Sequence, residues 1–218
     1  MIKINKFWIR TLGILGMLGG ILLFAGDLLF YYDSVSINLK MNMGHSSNFR
    51  ITLSAITALF ATWFYVLGAG HIYYAFQKSS AKARNTVVLS FIAIFIAYGI
   101  VHAAYVAIAI SAKIALQYNI DLEQTVALAD DINRILRLFI YPIFALLSIV
   151  FISQVWQRKT YYPRWIIAFF PLTLFFLKGV MEKVLTGGYW VIFVGGFFNL
   201  LLILFFLAST IALWNPKD

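Results

Sequence analysis

Cysteine is absent from this sequence of 218 residues, and charged residues are scarce. The lack of cysteine excludes disulfide bonds, thiolate metal sites and cysteine nucleophiles. Lys, Arg, Asp and Glu together make up 11% of the residues, whereas a typical soluble domain has about 25%. Because a water-facing surface needs charge, this deficit excludes a soluble globular enzyme. The 62% of apolar residues also excludes a disordered chain.

Long apolar runs fill most of the sequence instead. Six of them each reach the ~20 residues that a helix needs to cross ~30 Å of hydrocarbon. They are residues 11–32, 51–76, 86–112, 135–156, 165–185 and 189–214. Backbone groups in lipid must bond within their own segment, so each run predicts an α-helix. The sequence therefore predicts an all-α polytopic membrane protein, a bundle of six transmembrane helices in a single domain over residues 1–218.

The orientation of the bundle follows from its basic residues. Lys3, Lys6 and Arg10 precede the first run as in a signal peptide, but no small-residue cleavage site follows before Asp27, so we expect a retained signal-anchor helix. Ten of the 17 basic residues belong to one side of the bundle, and the other seven are mixed with acids. The positive-inside rule then predicts that both termini are cytoplasmic. The net charge of +9 is interpreted as topology and lipid contact, and no nucleic-acid partner is predicted.

Three local patterns modify this plan. The predicted outer loop 113–134 has the spacing of an amphipathic helix, either a separate surface helix or an extension of the fourth run. Pro142 and Pro171 lie inside the fourth and fifth runs and predict kinks. Gly16 and Gly20 permit close approach of another helix, which favours packing within the bundle over dimerisation.

Ionisable side chains inside the runs are the main indication of function, because a charge at the centre of a membrane helix costs about 2.5–3.5 kcal/mol. In the predicted topology most of them lie in the outer half, and spacings of three or four residues group them on common helix faces. We therefore expect a polar pocket that opens outward between helices one, three, four and five, with Asp27 paired to Arg137 or Lys178. The candidate ligand-binding residues are Asp27, Tyr31, His102, Arg134, Arg137, Tyr141, Lys178 and Glu182.

A second interpretation of these residues stays open. The long side chains of Arg134, Lys178 and Glu182 can instead extend to the lipid headgroups. Asp27 and His102 are too short for that, but a purely structural hydrogen bond also explains either of them.

No metal ion or other cofactor is predicted. A two-histidine haem needs His71 and His102 at one depth, and the topology places them in opposite halves. A zinc site needs three or four converging ligands, and Asp27, His102 and His45 show no such spacing. We interpret His71 as an interfacial residue and Asn199 as a hydrogen bond between helices.

Four motifs resemble those of small six-span bacterial membrane proteins of unknown function. The motifs are Gly26-Asp27-Leu-Leu-Phe-Tyr-Tyr, Gly68-x-Gly70-His71-x-Tyr73, Tyr162-Pro163-Arg164-Trp165 leading to Pro171, and Gly195-Gly196-x-x-Asn199. The resemblance covers nearly the whole chain. It implies a multi-pass protein of the bacterial inner membrane, and it transfers no activity and no catalytic residue.

Three functions are open at this point. In the first, the pocket binds or transports a small amphiphilic or lipid-like molecule, which suits a chain with 21 Phe, 12 Tyr and few charged anchors. In the second, the protein is a membrane-embedded enzyme acting on a lipid or isoprenoid, with Asp27 or Glu182 and His102 as acid and base. In the third, it is a structural or assembly partner of another membrane protein. Membrane lipid is the predicted partner in each case, and no oligomeric state is predicted.

Overall fold

A computed structural model describes residues 5–215, and all regular secondary structure in this range is helical. The helices are α1 (Lys6–Tyr31), α2 (Leu39–His45), α3 (Asn48–Ala75), α4 (Ala81–Tyr118), α5 (Leu122–Leu138), α6 (Ile140–Trp156), α7 (Pro171–Leu174), α8 (Leu177–Val184), α9 (Gly187–Trp190) and α10 (Phe197–Ala212). A 3-10 turn covers Arg164–Phe169 and a π-helical turn covers Val191–Gly195. The predicted all-α class is confirmed. Lys3, Lys217 and Asp218, which enter the charge asymmetry, lie outside the described residues.

Four helical segments are long and apolar enough to cross a membrane: α1, α3, α4 and the α5–α6 pair. A fifth forms if residues 187–212 count as one span, which bends by 58° between the π-helical turn and α10. Their length and apolar composition agree with a membrane protein.

The segment predicted as the fifth helix, residues 165–185, is not one continuous helix. The 3-10 turn ends before Phe170, whose backbone is extended, and α7 begins with Pro171 at its first position. Proline has no N–H to bond the carbonyl four residues back, and it steers the preceding residue towards extended backbone. The carbonyl of Ile167 instead accepts a hydrogen bond from the backbone N–H of Phe170 at 3.1 Å, and the Thr173 hydroxyl lies closest to the carbonyl of Phe170, at 2.6 Å. Pro171 therefore breaks this run and does not merely kink it.

The predicted loop 113–134 is mostly helical. The helix α4 continues to Tyr118, and α5 is an amphipathic helix that leads into α6 after a break at Phe139. The two alternatives for this loop are thus combined in one segment. Pro142 lies in the first turn of α6, where it cannot bond the carbonyl of Leu138, and this explains the position of the break.

The glycines of α1 pack it against α3 and α10. A Cβ added to Gly16 would meet the ring of Phe206 on α10, and Gly68 of α3 lies against the Gly16 backbone. A Cβ added to Gly20 would lie 2.6 Å from the side chain of Ile203. This small-residue face is used inside the bundle, as predicted.

Loop contacts define the two ends of the bundle. At one end, the backbone N–H of Tyr161 donates to the carbonyl of Ala75 at 2.7 Å. At the other end, the backbone N–H of Gly188 donates to the carbonyl of Ser34 at 2.8 Å. We name these the inner end and the outer end, after the predicted orientation. Residues 162–187 therefore run from the inner end to the outer end, although they form no continuous helix.

Phenyl rings fill the inner half. Phe91 stacks on Phe205 with ring centroids 5.6 Å apart, and Phe151 stacks on Phe170 at 4.6 Å. We call the cluster the phenyl core; its members are Phe91, Phe95, Phe151, Phe170, Phe205 and Phe206. Each is at most 2% exposed, so this half of the bundle is closely packed.

Candidate functional site

A cavity of about 290 Å³ lies in the outer half of the bundle. Its wall is built by α1, α4, the α5–α6 junction, α7 and α8, and the junction of the π-helical turn with α10. The polar residues of the wall are Asp27, Tyr31, Tyr98, His102, Tyr105, Arg137, Tyr141, Lys178 and Asn199. An apolar cavity of about 150 Å³ is known to hold benzene, so roughly a dozen non-hydrogen atoms fit here.

Three interruptions of helical backbone meet at this cavity. The break at Phe139 lies between the wall residues Arg137 and Tyr141, and the break before α8 lies next to Lys178. The π-helical turn and the 58° bend precede Asn199. Irregular backbone at membrane depth is tolerated where it is buried in protein or lines a cavity, and π-helical turns are frequent at functional sites.

Asp27 is the acidic residue of the wall, and both of its carboxylate oxygens have side-chain partners. Oδ1 lies 3.1 Å from His102 Nδ1, and Oδ2 accepts a hydrogen bond from Asn199 Nδ2 at 2.7 Å. The pairing with Arg137 or Lys178 that the sequence predicted is not the one observed.

Gly26 explains why histidine reaches Asp27. A Cβ at Gly26 would lie 3.0 Å from His102 Nε2, so the bare backbone lets the imidazole pack directly on α1. The Asn199 contact, by contrast, is the interhelical hydrogen bond that the sequence predicted.

Ser54 on α3 fixes the protonation of His102. Ser54 Oγ lies 2.6 Å from the carbonyl oxygen of Gly26 and 2.9 Å from His102 Nε2. A carbonyl only accepts, so the hydroxyl donates to Gly26 and Nε2 must donate to Ser54. With Nε2 protonated, the contact between Nδ1 and Asp27 needs a further proton, on the nitrogen or on the carboxyl group. The Asp27–His102 pair therefore holds this one shared proton and has no net charge.

The order Ser54–His102–Asp27 has the connectivity of a hydrolytic triad but not its accessibility. Ser54 is 0% exposed and does not line the cavity, and its hydroxyl proton is held by the carbonyl of Gly26. A nucleophile needs a path to the substrate and a proton that its base can take. Ser54 is therefore a hydrogen-bond partner that orients His102.

Two cations face the same cavity. Arg137 Nη1 donates to Tyr105 Oη at 3.3 Å, and no carboxylate of the described residues 5–215 lies within 4 Å of this guanidinium. Lys178 Nζ lies 3.6 Å from Glu182 Oε1, and both of these side chains are substantially exposed. Because the charge of Asp27 is offset within its own pair, the wall of the cavity is net positive.

Six of the eight candidate residues line this cavity: Asp27, Tyr31, His102, Arg137, Tyr141 and Lys178. Two lie elsewhere. Arg134 is bound at 2.8 Å to Asp131 on the exposed face of α5, and Glu182 lies beyond Lys178, outside the wall. The role of the six residues in ligand binding stays a prediction.

The sequence spacing places Tyr98 and Tyr105 on the helix face of His102, whereas the phenylalanines of the wall were missed. Tyr98 of α4 stacks on Phe198 of α10 with centroids 4.3 Å apart, and Phe144 and Phe197 complete this side. The shared helix face of Tyr98, His102 and Tyr105 was a usable signal. Nothing in the phenylalanine-rich runs distinguishes Phe144 or Phe198 from other core residues.

His71 is not the interfacial residue that the sequence suggested. It is 0% exposed, and its Nδ1 donates to the carbonyl of Ile9 at 2.8 Å, because a carbonyl only accepts. The ring lies beside Gly13, where the missing side chain makes room for it. In the part of the chain that the structure describes, no group of three or more His, Asp or Glu side chains is placed to hold a metal ion.

Comparison with curated proteins and with solved structures finds no similar protein. A sequence family does match, and its description is "Family of unknown function". The match covers residues 1–215, which include every residue of the cavity wall. The chain therefore belongs to this family of unknown function, DUF6796.

Proposed function

We propose that this chain is a multi-pass protein of the bacterial inner membrane that binds a small amphiphilic or lipid-like molecule in the outer-half cavity. The convergence of three helix breaks on one cavity carries the proposal. Backbone groups that lose a helical partner cost several kcal/mol in hydrocarbon unless the protein satisfies them, and the 58° bend before α10 is the largest of the three interruptions. A bundle that only has to pack gains nothing from such breaks, whereas broken helices commonly form binding sites inside membranes.

The proposed topology has six crossings and cytoplasmic termini. Residues 162–187 connect the inner and outer ends, which supports a broken fifth crossing, and residues 187–212 form a bent sixth. The orientation of these crossings, with both termini in the cytoplasm, depends on the positive-inside rule. The bacterial inner membrane is proposed from the resemblance of the sequence motifs.

Binding is favoured over transport by the phenyl core. A transported molecule needs a path from the cavity to the inner end. The phenyl core fills the space below the cavity with rings that are at most 2% exposed. A ligand that enters the cavity is therefore expected to leave on the same side.

A cavity-filling substitution tests the proposal. Val101 lines the cavity and is 4% exposed, whereas the preceding residue, Ile100, is 55% exposed and points away from the cavity wall. Phenylalanine at position 101 adds volume where the ligand would lie. We expect native mass spectrometry of the protein in mild detergent to detect a co-purified amphiphile in the wild type and in Ile100→Phe, and to find it depleted in Val101→Phe.

The control for this experiment is the folded fraction. Size-exclusion chromatography and thermal melting must show that Val101→Phe is folded before the depletion is interpreted. Equal occupancy of a folded Val101→Phe and of Ile100→Phe contradicts binding in the cavity.

An enzyme is the second candidate, because the Asp27–His102 distance of 3.1 Å meets the geometric requirement for an acid–base pair. The hydrogen bonds from His102 to Ser54 and from Asn199 to Asp27 favour a structural role of this pair instead. Incubation of the protein with a bacterial lipid extract, followed by mass spectrometry, separates the two. An enzyme consumes one lipid species in the wild type and not in His102→Ala, whereas an unchanged lipid profile counts against catalysis.

The third candidate, a structural or assembly partner, has less support. Such a partner needs a small-residue face that is free for another helix. The face of α1 that contains Gly16 and Gly20 is occupied by α3 and α10.

A further inference from the structure

We infer that the ligand of the cavity carries an anionic headgroup, a phosphate or a carboxylate, which Arg137 and Lys178 bind, and an apolar chain that leaves the cavity sideways into the bilayer. This inference rests on the proposed function and adds the chemical class of the ligand.

The charge of the headgroup follows from the cations of the wall. The guanidinium of Arg137 has five N–H donors, and its hydrogen bond to Tyr105 uses one of them. Lys178 lines the cavity. Its ion-pair partner Glu182 does not line the cavity, and the two side chains are 3.6 Å apart. An anion supplies the acceptors that these donors lack, and such charge-assisted hydrogen bonds are stronger than neutral ones.

The remaining polar groups of the wall do not select a cation. Asp27 is the acidic residue there, and its charge is offset by the proton that it shares with His102. Its second oxygen already accepts the hydrogen bond from Asn199. A cationic headgroup would therefore meet two like charges, Arg137 and Lys178, and no uncompensated carboxylate of the wall.

The direction of the chain follows from the exposed residues of the wall. Tyr141 on α6 is 56% exposed, and Leu172 and Phe175, between the 3-10 turn and α8, are 45% and 46% exposed. These three residues line the cavity and also face outward, Tyr141 from α6 and the other two from the broken segment, so we infer a gap between these two elements. The gap is apolar at its edges, so an alkyl chain can pass through it and remain in an apolar environment.

The volume of the cavity requires such an exit. About 290 Å³ accommodates a headgroup and a few carbon atoms, but not a full acyl chain. The phenyl core closes the inner side. The rest of the chain therefore extends through the gap between α6 and α7.

Two amphiphiles of equal chain length and opposite charge test the inference. The protein is placed in nanodiscs of phosphatidylcholine and titrated calorimetrically with dodecyl phosphate, with dodecyltrimethylammonium and with inorganic phosphate, and empty nanodiscs provide the background. We expect dodecyl phosphate to bind at least about tenfold more tightly than dodecyltrimethylammonium, and Arg137→Gln to weaken it by about tenfold. Arg137→Lys, which keeps the charge, should restore part of the affinity.

Matched controls lie on the same two helices. Arg134→Gln removes a cation one turn away on the exposed face of α5, and Lys183→Gln removes one from α8 outside the wall. Both should bind dodecyl phosphate like the wild type. Lys178→Gln should weaken binding less than Arg137→Gln, because Glu182 already compensates part of the Lys178 charge.

The outcomes separate this inference from the proposed function. Equal binding of the two amphiphiles, blocked by Val101→Phe but not by Arg137→Gln, overturns the anionic headgroup and leaves the cavity as a binding site. Binding that is unaffected by Val101→Phe overturns both. Inorganic phosphate that binds as tightly as dodecyl phosphate, and that depends on Arg137, overturns the amphiphile and identifies a free anion as the ligand.

Discussion

The inner half of the bundle is packed with phenyl rings, whereas the outer half surrounds a cavity with polar side chains. The same elements build both halves. In α4, Phe91 belongs to the phenyl core and His102, three turns later, to the cavity wall. In α10, Phe205 is fully buried among rings and Asn199 donates to Asp27. The polar residues of the cavity wall therefore lie at one level of these helices, and His71 is a separate buried polar residue of the inner half.

The backbone follows the same division. The inner parts of α4, α6 and α10 are regular helices, while the breaks at Phe139, before α8 and after Gly195 all lie at the cavity. The extended backbone at Phe170 lies in the phenyl core, so irregular backbone occurs in both halves, but three interruptions coincide with polar side chains only at the cavity. This coincidence is the reason for assigning function to the outer half.

The largest expected effect is in the phenyl core. Phe205→Ala removes a side chain that contacts Phe91, Phe151 and Phe170, and we expect it to lower the free energy of unfolding by about 3–5 kcal/mol. Reversible unfolding by SDS in mixed micelles measures this value. Phe175→Ala, at the exposed rim of the cavity, should cost less than about 1 kcal/mol. Equal costs would remove the distinction between the two halves.

A smaller effect is expected in the polar network. His102→Ala leaves Asp27 buried without its proton-sharing partner, which should cost about 3 kcal/mol in the same assay. Asp27→Ala should also destabilise the protein, because it leaves Nδ1 of His102 and the amide of Asn199 without their partner.

Asp27→Asn sharpens this prediction through the shared proton. The amide of asparagine can donate to Nδ1 of His102 while its oxygen accepts from Asn199, so every hydrogen bond is kept. We expect a cost below about 1 kcal/mol, clearly less than that of Asp27→Ala. If the two substitutions are equally destabilising, Asp27 and His102 do not share a proton in the way inferred from Ser54.

The smallest expected effect is outside the spanning segments, on α2. The hydrogen bond from Lys40 to Glu123, at 2.6 Å, raises the pKa of Lys40 above its ordinary value against an opposing desolvation effect, and Asp130 at 3.1 Å adds to the rise. A raised pKa in the folded state means that this stabilisation is present below the ordinary pKa of 10.5 and is lost as the pH rises through the folded value. Because the ion pairs are exposed, we expect a few tenths of a kcal/mol.

Melting curves at pH 8 and at pH 11.5 measure the Lys40 contribution. Lys40→Met should be slightly less stable than the wild type at the lower pH, and the difference should shrink at the higher one. A difference that is the same at both pH values would show that the ion pairs with Glu123 and Asp130 do not stabilise the fold.

Run length and hydropathy predict most of the helices, because they measure what lipid requires of a segment. The runs 11–32, 51–76 and 86–112 correspond to α1, α3 and α4. The run 165–185 has the same hydropathy signature but is broken at Phe170. Hydropathy counts side chains, and it does not register that Pro171 removes a backbone N–H donor from the helix.

The site was only partly predictable for a similar reason. Depth and helix face are properties of a single helix, so they were sufficient to select residues such as Asp27, His102 and Arg137. The partner of Asp27 depends instead on how closely two helices approach. That approach depends on Gly26, which in the sequence is one small residue among many.

The length of α4 locates the surface of the membrane. At about 1.5 Å per residue its 38 residues extend for about 57 Å, while the hydrocarbon core is about 30 Å thick. Even a steep tilt of about 40° leaves roughly a third of the helix outside. In the proposed topology, with the excess length of α4 at the outer end, the 17 residues of α5 cover about 26 Å on the way back and we expect the membrane surface close to Phe139. This topology predicts that Arg137 lies at the depth of the phosphate groups, where a lipid can place its headgroup without lifting its chain out of the bilayer.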